Sequence, residues 1–254
     1  MNINAVRDSF KQFIFEFDAD GTIADTQQDL YKMLKLRYRS GAPRRPPRVI
    51  LIGPPGSGRT TQSQILADTF GLVHVCPAEL IKVDAELNPG IKLKIKEAVQ
   101  NGEQIPDEIM LRLIDARLRK SDCRVNGWVL DGFPQTEAQV NLLRSMRVKP
   151  SLVVLFEQPQ DESITRLGNR RLDPRTGELY NIEMEMPKSE VIANALVKRA
   201  EDSEVNVRKR YHSWNQHISM LEESFKSCLL ATASDKTVES VSEKILEAVE
   251  NPVF

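Results

Sequence analysis

The chain has 254 residues, 35 basic and 36 acidic side chains for a net charge of −1, and 41% hydrophobic content. That balance describes a globular chain able to bury a core, and it gives no global positive field to recruit nucleic acid or an anionic membrane. No apolar run approaches the ~20 residues of a membrane span, and the opening MNINAVRDSFKQ lacks the apolar core of a secretory signal.

The first organised segment, SFKQFIFEFDADGTIADTQQDLYKML from Ser9, reads as an apolar strand, a polar turn and a helix. A weaker copy, SFKSCLLATASDKTVESVSEKILEAV, begins at Ser224 and closes the chain's last domain. Residues 1–38 are therefore expected to resemble the tail of a preceding domain of the same kind, so that the chain reads as a piece or short isoform of a tandem protein. The motif FDADGTIADT also matches the opening of haloacid dehalogenase-type phosphatases. That chemistry needs a distant Lys and further carboxylates, and the next domain starts too soon to supply them. Residues 39–47, RSGAPRRPP, form a Pro- and Arg-rich linker.

From residue 48, RVILIGPPGSGRTTQSQILADTF reads as a buried strand over 48–52, a glycine-rich turn, and a helix over 59–70. Gly53, Gly56 and Gly58 are expected to take positive φ and let backbone approach phosphate oxygens. Ser57, Thr61, the loop N–H groups and the helix N-terminus complete an anion cradle. Thr60 falls where a hydroxyl reaches Mg²⁺. The pattern G-x4-G-Arg-Thr puts Arg59 at the usual lysine, which keeps the charge but replaces a point cation with a planar fork. Further strands are expected at 72–76, 127–130, 151–156 and 227–231, separated by helical patterns as a doubly wound sheet requires. Cys76, Cys123 and Cys228 are far apart and read as reduced thiols without zinc spacing or a disulfide frame. Trp128 is expected in the core, Tyr211, His212 and Trp214 to pack along a long helix, and His74 to be a spacer in a short strand.

Three more blocks follow the glycine turn in order: GWVLDGFPQTEAQ (127–139), RLGNRRLDPRTGELY (166–180) and KRAEDSEVNVRKR (198–210). Together with GPPGSGRTTQ they resemble the signature blocks of adenylate kinases and related nucleoside monophosphate kinases, over residues 48–254. The resemblance implies an α/β fold of the P-loop NTPase type: three layers, a five-stranded parallel sheet, an NMP-binding helical insert at about 77–106 and a LID insert at about 171–198. The LID insert contains no Cys or His, so zinc is not expected there. Within the family the likeness stands nearest to a tandem-domain, cilium-associated member. A cytoplasmic location, in or near a cilium or flagellum, is the corresponding expectation.

By the same resemblance Arg59, Arg170, Arg199 and Arg210 grip phosphates, and Arg166 stacks on the ATP base. Asp131 and Thr60 hold Mg²⁺, mostly through water, and Asp202 is an acidic residue near the transfer centre. The acceptor side departs from the family. Lys82 stands where a monophosphate-binding Arg would be, Pro77 where a Thr would be, and Gln135 replaces the arginine of the DGFP block. Gly132 and Ile105 line the expected acceptor pocket, and Gln139 matches the adenine-reading glutamine. A charge-assisted hydrogen bond contributes roughly 1.5–3 kcal/mol, so losing it at position 135 should raise the acceptor KM about 10- to 150-fold.

Two functions follow. One is an adenylate kinase using ATP, AMP and Mg²⁺ with weakened acceptor binding. The other is a nucleotide-binding pseudokinase with a structural role in a larger, axonemal assembly, docked through residues 1–47. Neither engages nucleic acid or a membrane.

Overall fold

The computed structural model describes residues 46–87, 106–183, 186–234 and 237–251, together with Leu93 and Ile95. The strand–helix extension over 1–38, most of the linker, and Ile105 lie outside the described residues.

Five parallel strands form one sheet: β1 (Arg48–Ile52), β2 (Val73–Val75), β3 (Trp128–Asp131), β4 (Leu152–Glu157) and the strand Leu229–Ala233, numbered β7 below. Their spatial order is β2-β3-β1-β4-β7. β1 is central, with Val49 beside both Val129 and Leu152. Its run RVILI has no polar alternation because both faces are covered, as parallel sheets require.

Successive side chains of a strand leave on opposite faces, which sorts β1 into two cores. Val49 and Leu51 pack with Leu66 and Ala67 of α1 (Arg59–Phe70) and with Val241, Ile245 and Val249 of the last helix, Val238–Glu250. Ile50 and Ile52 face the other way. There they meet α3 (Asp107–Leu118), α5 (Glu137–Ser145) and a 22-residue helix, α8 (Glu204–Phe225). Each fully buried Leu or Ile contributes about 1.5–3 kcal/mol, so the three-layer sandwich follows from the apolar runs themselves. Trp128 is 3% exposed within the second core, as expected.

The remaining helices of the described residues are α2 (Pro77–Leu87), α4 (Ser121–Asn126), α6 (Gln160–Gly168) and α7 (Glu190–Ala195), with α9 the closing Val238–Glu250. A short antiparallel pair, β5 (Arg170–Leu172) and β6 (Leu179–Asn181), follows α6 outside the main sheet. Leu172 also bridges Val197, tying the start of this hairpin to the chain after α7.

Boundaries expected for β1 and α1 coincide with those observed. Gly58 and Gly71, both left-handed, mark the two ends of α1, and the Gly71 N–H closes on Ala67 O. The last strand starts later than expected, at Leu229, because Lys226–Cys228 winds into a 3₁₀ turn continuing α8. The third starts at Trp128 because Gly127 takes φ 80 and turns the chain after α4.

Candidate active site

The loop between β1 and α1 lies at the carboxyl end of the central strand, where ligands bind in open α/β sheets. Gly56 and Gly58 each have φ 82, so a side chain there would be strained. Gly53 does not share that geometry, contrary to expectation: its φ is not positive. It is glycine for space, since a Cβ would fall 2.7 Å from Phe156 Cβ and 3.2 Å from Phe156 O. Two buried polar atoms, Ser57 Oγ in this loop and Arg59 Nη1 from the start of α1, have no hydrogen-bond partner among the described residues. Buried donors are normally satisfied, and at a glycine loop opening a helix the fitting partner is an anion. Thr61, two residues beyond Arg59, is exposed.

Arg59 reaches from the first turn of α1 to the end of β3. A Cβ on Gly132, itself at φ 73, would fall 2.7 Å from Arg59 Nη1, so the guanidinium lies directly on that glycine. Asp131, the last residue of β3, is 7% exposed and accepts from Thr60 Oγ1 at 2.7 Å. Burial alone would raise its pKa, but His74, Arg59 and Thr60 outweigh that and hold the carboxyl below the ordinary range. His74 Nε2 stands 3.8 Å from Asp131 Oδ2, an electrostatic neighbour beyond hydrogen-bond reach. The Thr60–Asp131 pair offers hard oxygen donors beside a phosphate loop, a set that suits Mg²⁺.

The arginines of the later blocks converge through one carboxylate. Asp202, whose side chain is fully buried, accepts from Arg170 Nε at 3.0 Å and from Arg199 Nε at 3.1 Å. A second contact joins Arg170 Nη2 to Asp202 Oδ1, making that pair bidentate. These partners hold the Asp202 carboxyl below the usual range despite the opposing effect of burial. Arg199 also pairs with Glu201 at 2.8 Å, and Arg210 Nη1 donates to Glu201 O at 3.4 Å. Burial pushes the Arg210 pKa down, and the nearby charges of Arg59 and Arg170 push it further. Arg59 is likewise lowered by burial and by Arg170, with Asp131 opposing. Arg59 and Arg210 thus both feel the charge of Arg170, a gathering of cations that a polyanion would relieve.

Arg166, one turn before Arg170, donates through Nη2 to Ser234 O at 2.6 Å and pairs with Glu162. The acceptor-side residues are arranged differently. Gln135 folds its amide back on the main chain, with Nε2 donating to Gly132 O at 2.7 Å. Gln139, 4% exposed, has both ends occupied: Oε1 accepts from Gln135 N at 2.7 Å, and Nε2 donates to Asp107 Oδ1 at 2.5 Å. Lys82 is exposed on α2.

Comparison with known proteins agrees with this geometry. The family model described as "Adenylate kinase" matches residues 51–229. The chain belongs to the adenylate kinase family. It is 31% identical over 202 residues to a chloroplastic adenylate kinase of Zea mays, covering 80% of this chain and 91% of that one. The adenylate kinase of Kosmotoga olearia is 27% identical over 213 residues, covering 80% of this chain and 99% of its own length. Human adenylate kinase 8 is 29% identical over 252 residues, covering 99% of this chain and 52% of the human protein. This chain therefore spans about half the length of that relative.

For an adenylate kinase family member, the reacting groups are phosphates, and Arg170 and Arg199 share Asp202 while Arg210 donates to the neighbouring Glu201 O. Sequence reasoning missed two participants. His74, read as a spacer, neighbours the carboxylate of Asp131. Asp107, which belongs to none of the four blocks, accepts from both Gln139 and Thr136, the latter at 2.9 Å. The signal that could have found it is its position: an acidic residue opening a helix after Pro106 competes for nearby donors.

Proposed function

We propose that this chain is an ATP:AMP phosphotransferase that forms two ADP, with weakened hold on the acceptor. Support comes chiefly from the convergence of Arg59, Arg170 and Arg210, coupled through Asp202 to Arg199, beside a phosphate loop with an unpartnered Arg59 Nη1. Transfer of a γ-phosphoryl group needs little covalent help from protein. An acceptor phosphate oxygen attacks in line, and the developing charge is met by fixed cations. Thr60 and Asp131 would hold Mg²⁺, which supplies charge neutralisation at the β- and γ-phosphates when bound. The insert over 171–198 would act as LID and that over 77–106 as acceptor clamp, together excluding water.

On the acceptor side Gln135 contributes no charge and its amide nitrogen is bonded to Gly132 O, while both ends of the Gln139 amide are satisfied within the protein. AMP must displace those bonds, which raises its KM. The same observation gives the second reading its footing: a nucleotide-binding module that no longer turns over. The match to human adenylate kinase 8 runs through nearly the whole chain, including the segment preceding the kinase domain. That supports residues 1–38 as the tail of a preceding domain; a protein partner docked on residues 1–47 and a ciliary setting belong to the same proposed reading. A coupled assay for ADP from ATP, AMP and Mg²⁺ tests the proposal. AMP-dependent ADP formation supports the kinase, whereas saturable ATP binding without turnover leaves only the module.

A further inference from the structure

Gln158 sits where β4 passes into α6, and no block of the sequence motifs contains it. It is 6% exposed yet fully polar. In the orientation that satisfies both ends of its amide, the nitrogen donates to Gly56 O at 3.3 Å and to Ser234 Oγ at 2.8 Å. The oxygen then accepts from Ser163 N at 3.0 Å and Ser163 Oγ at 3.1 Å. The Gln158 main-chain carbonyl accepts from Tyr211 Oη at 2.8 Å. One residue thereby joins the phosphate loop, the first turn of α6, the segment after β7, and α8. Ser234 carries the connection onward, because its carbonyl holds Arg166 Nη2 and its hydroxyl returns to Glu157 O at 3.0 Å.

A loop that binds phosphate through its N–H groups must turn carbonyls elsewhere. Gly56, at φ 82, turns one toward the Gln158 amide. Without that donor the half-buried carbonyl would be left poorly satisfied, a state the backbone relieves by moving. The same amide fixes Ser234, against which the arginine expected to meet the ATP base is braced.

We propose that Gln158 is a positioning residue for the donor nucleotide, setting the phosphate loop and Arg166 in register so that triphosphate and base are bound together. The proposal rests on the donor-site reading above and touches no substrate atom directly.

Gln158→Leu keeps the volume and removes the amide. Measured by titration calorimetry with ATP, its affinity should fall about tenfold, the worth of one buried hydrogen bond. In steady state the ATP KM should rise similarly, with kcat within about twofold and the AMP KM unchanged. Ser234→Ala, a one-atom truncation at the other end of the same bond, should weaken ATP about threefold. If both variants fold and bind ATP as tightly as the parent, whatever their melting temperatures, the side chain is merely structural and the proposal fails. Calorimetry separates this from the kinase reading: a parent that binds ATP but makes no ADP sinks the latter, while the affinity loss in Gln158→Leu still decides the former.

Discussion

Around the phosphate loop the side chains are cationic and incompletely satisfied, whereas around Gln135 two glutamines and a threonine are bonded to one another and to the carboxylate of Asp107. On the donor side the charge of Arg170 adds to burial in lowering the pKa of both Arg59 and Arg210, and Arg59 Nη1 has no partner among the described residues. On the acceptor side Gln135, Gln139, Thr136 and Asp107 form a network that occupies both ends of the Gln139 amide and the nitrogen of the Gln135 amide. Unmet charge is preorganised for a polyanion and costs stability until one arrives. A closed network is stable alone and must be opened by its ligand. On the proposed reading the site would hold ATP firmly and AMP weakly.

The largest effect should come from removing a donor-side cation that the folded protein does not need. Arg210→Met keeps the length of the side chain but removes a charge that burial disfavours and that Arg59 and Arg170 repel, against attraction from Glu201 and Asp202. We expect kcat to fall about 10²–10³-fold, as when a transition-state charge donor is lost, with no fall in melting temperature. A loss of stability equal to the loss of activity would mean that the cluster is structural, and the contrast between the two sides would disappear.

Next in size is the change that makes the acceptor side resemble the donor side. Gln135→Arg adds a charged fork and releases Gly132 O from the Gln135 amide. The AMP KM should drop about 10- to 150-fold, the equivalent of a charge-assisted hydrogen bond, with the ATP KM unmoved. An unchanged AMP KM would show that the monophosphate does not lie near position 135.

Much of the donor side could be read from the chain. The run RVILI, the glycine turn and the helix ending at Gly71 set the bounds of β1 and α1, because apolar continuity and left-handed caps act locally. Convergence of the arginines came from resemblance. Spacing alone does not say that Asp202 would hold Arg170 and Arg199 together across a sequence separation of 32 for the first of them. His74 was missed because its partner is set by register. His74 pairs with Val129, and Asp131 lies two residues on, on the same face of β3. Gln158 was missed because a glutamine in a junction gives no hint of burial. The acceptor network escaped for a related reason: which amide ends up satisfied depends on the relative placement of α3 and α5, and neither helix encodes that alone.

A smaller effect separates the two sides in acid. Asp131 and Asp202 titrate below ordinary carboxylates in the folded protein. Their contribution to stability is complete above the unfolded-state value of about 4 and is lost as pH falls through the depressed folded-state values. Asp202→Asn should cost about 2 kcal/mol at neutral pH, below the usual cost of breaking a fully buried pair. The discount reflects partners whose side chains stay 25% and 24% exposed. Melting curves from pH 7 to about pH 2 should show a shallower acid decline for the variant. Parallel curves for the two proteins would mean that Asp202 carries no charge worth holding.

The smallest expected change concerns Arg59 itself. Its guanidinium lies on Gly132, packed so closely that a methyl group there would meet Nη1 at 2.7 Å. A planar fork wedged against backbone has few ways to follow phosphate oxygens as they move, while a lysine ammonium is compact and carries three freely turning donors. Charge is equal in the two, so Arg59→Lys should raise kcat by less than about tenfold and leave the AMP KM alone. The variant also vacates space above Gly132, so Gly132→Ala should be tolerated better in the Arg59→Lys background than in the parent. Its residual cost in that background is the φ of 73 alone, about 1 kcal/mol. Equal destabilisation in both backgrounds, measured by a double-mutant cycle, would show that Arg59 does not press on Gly132, and the reason for expecting a faster lysine enzyme would go with it.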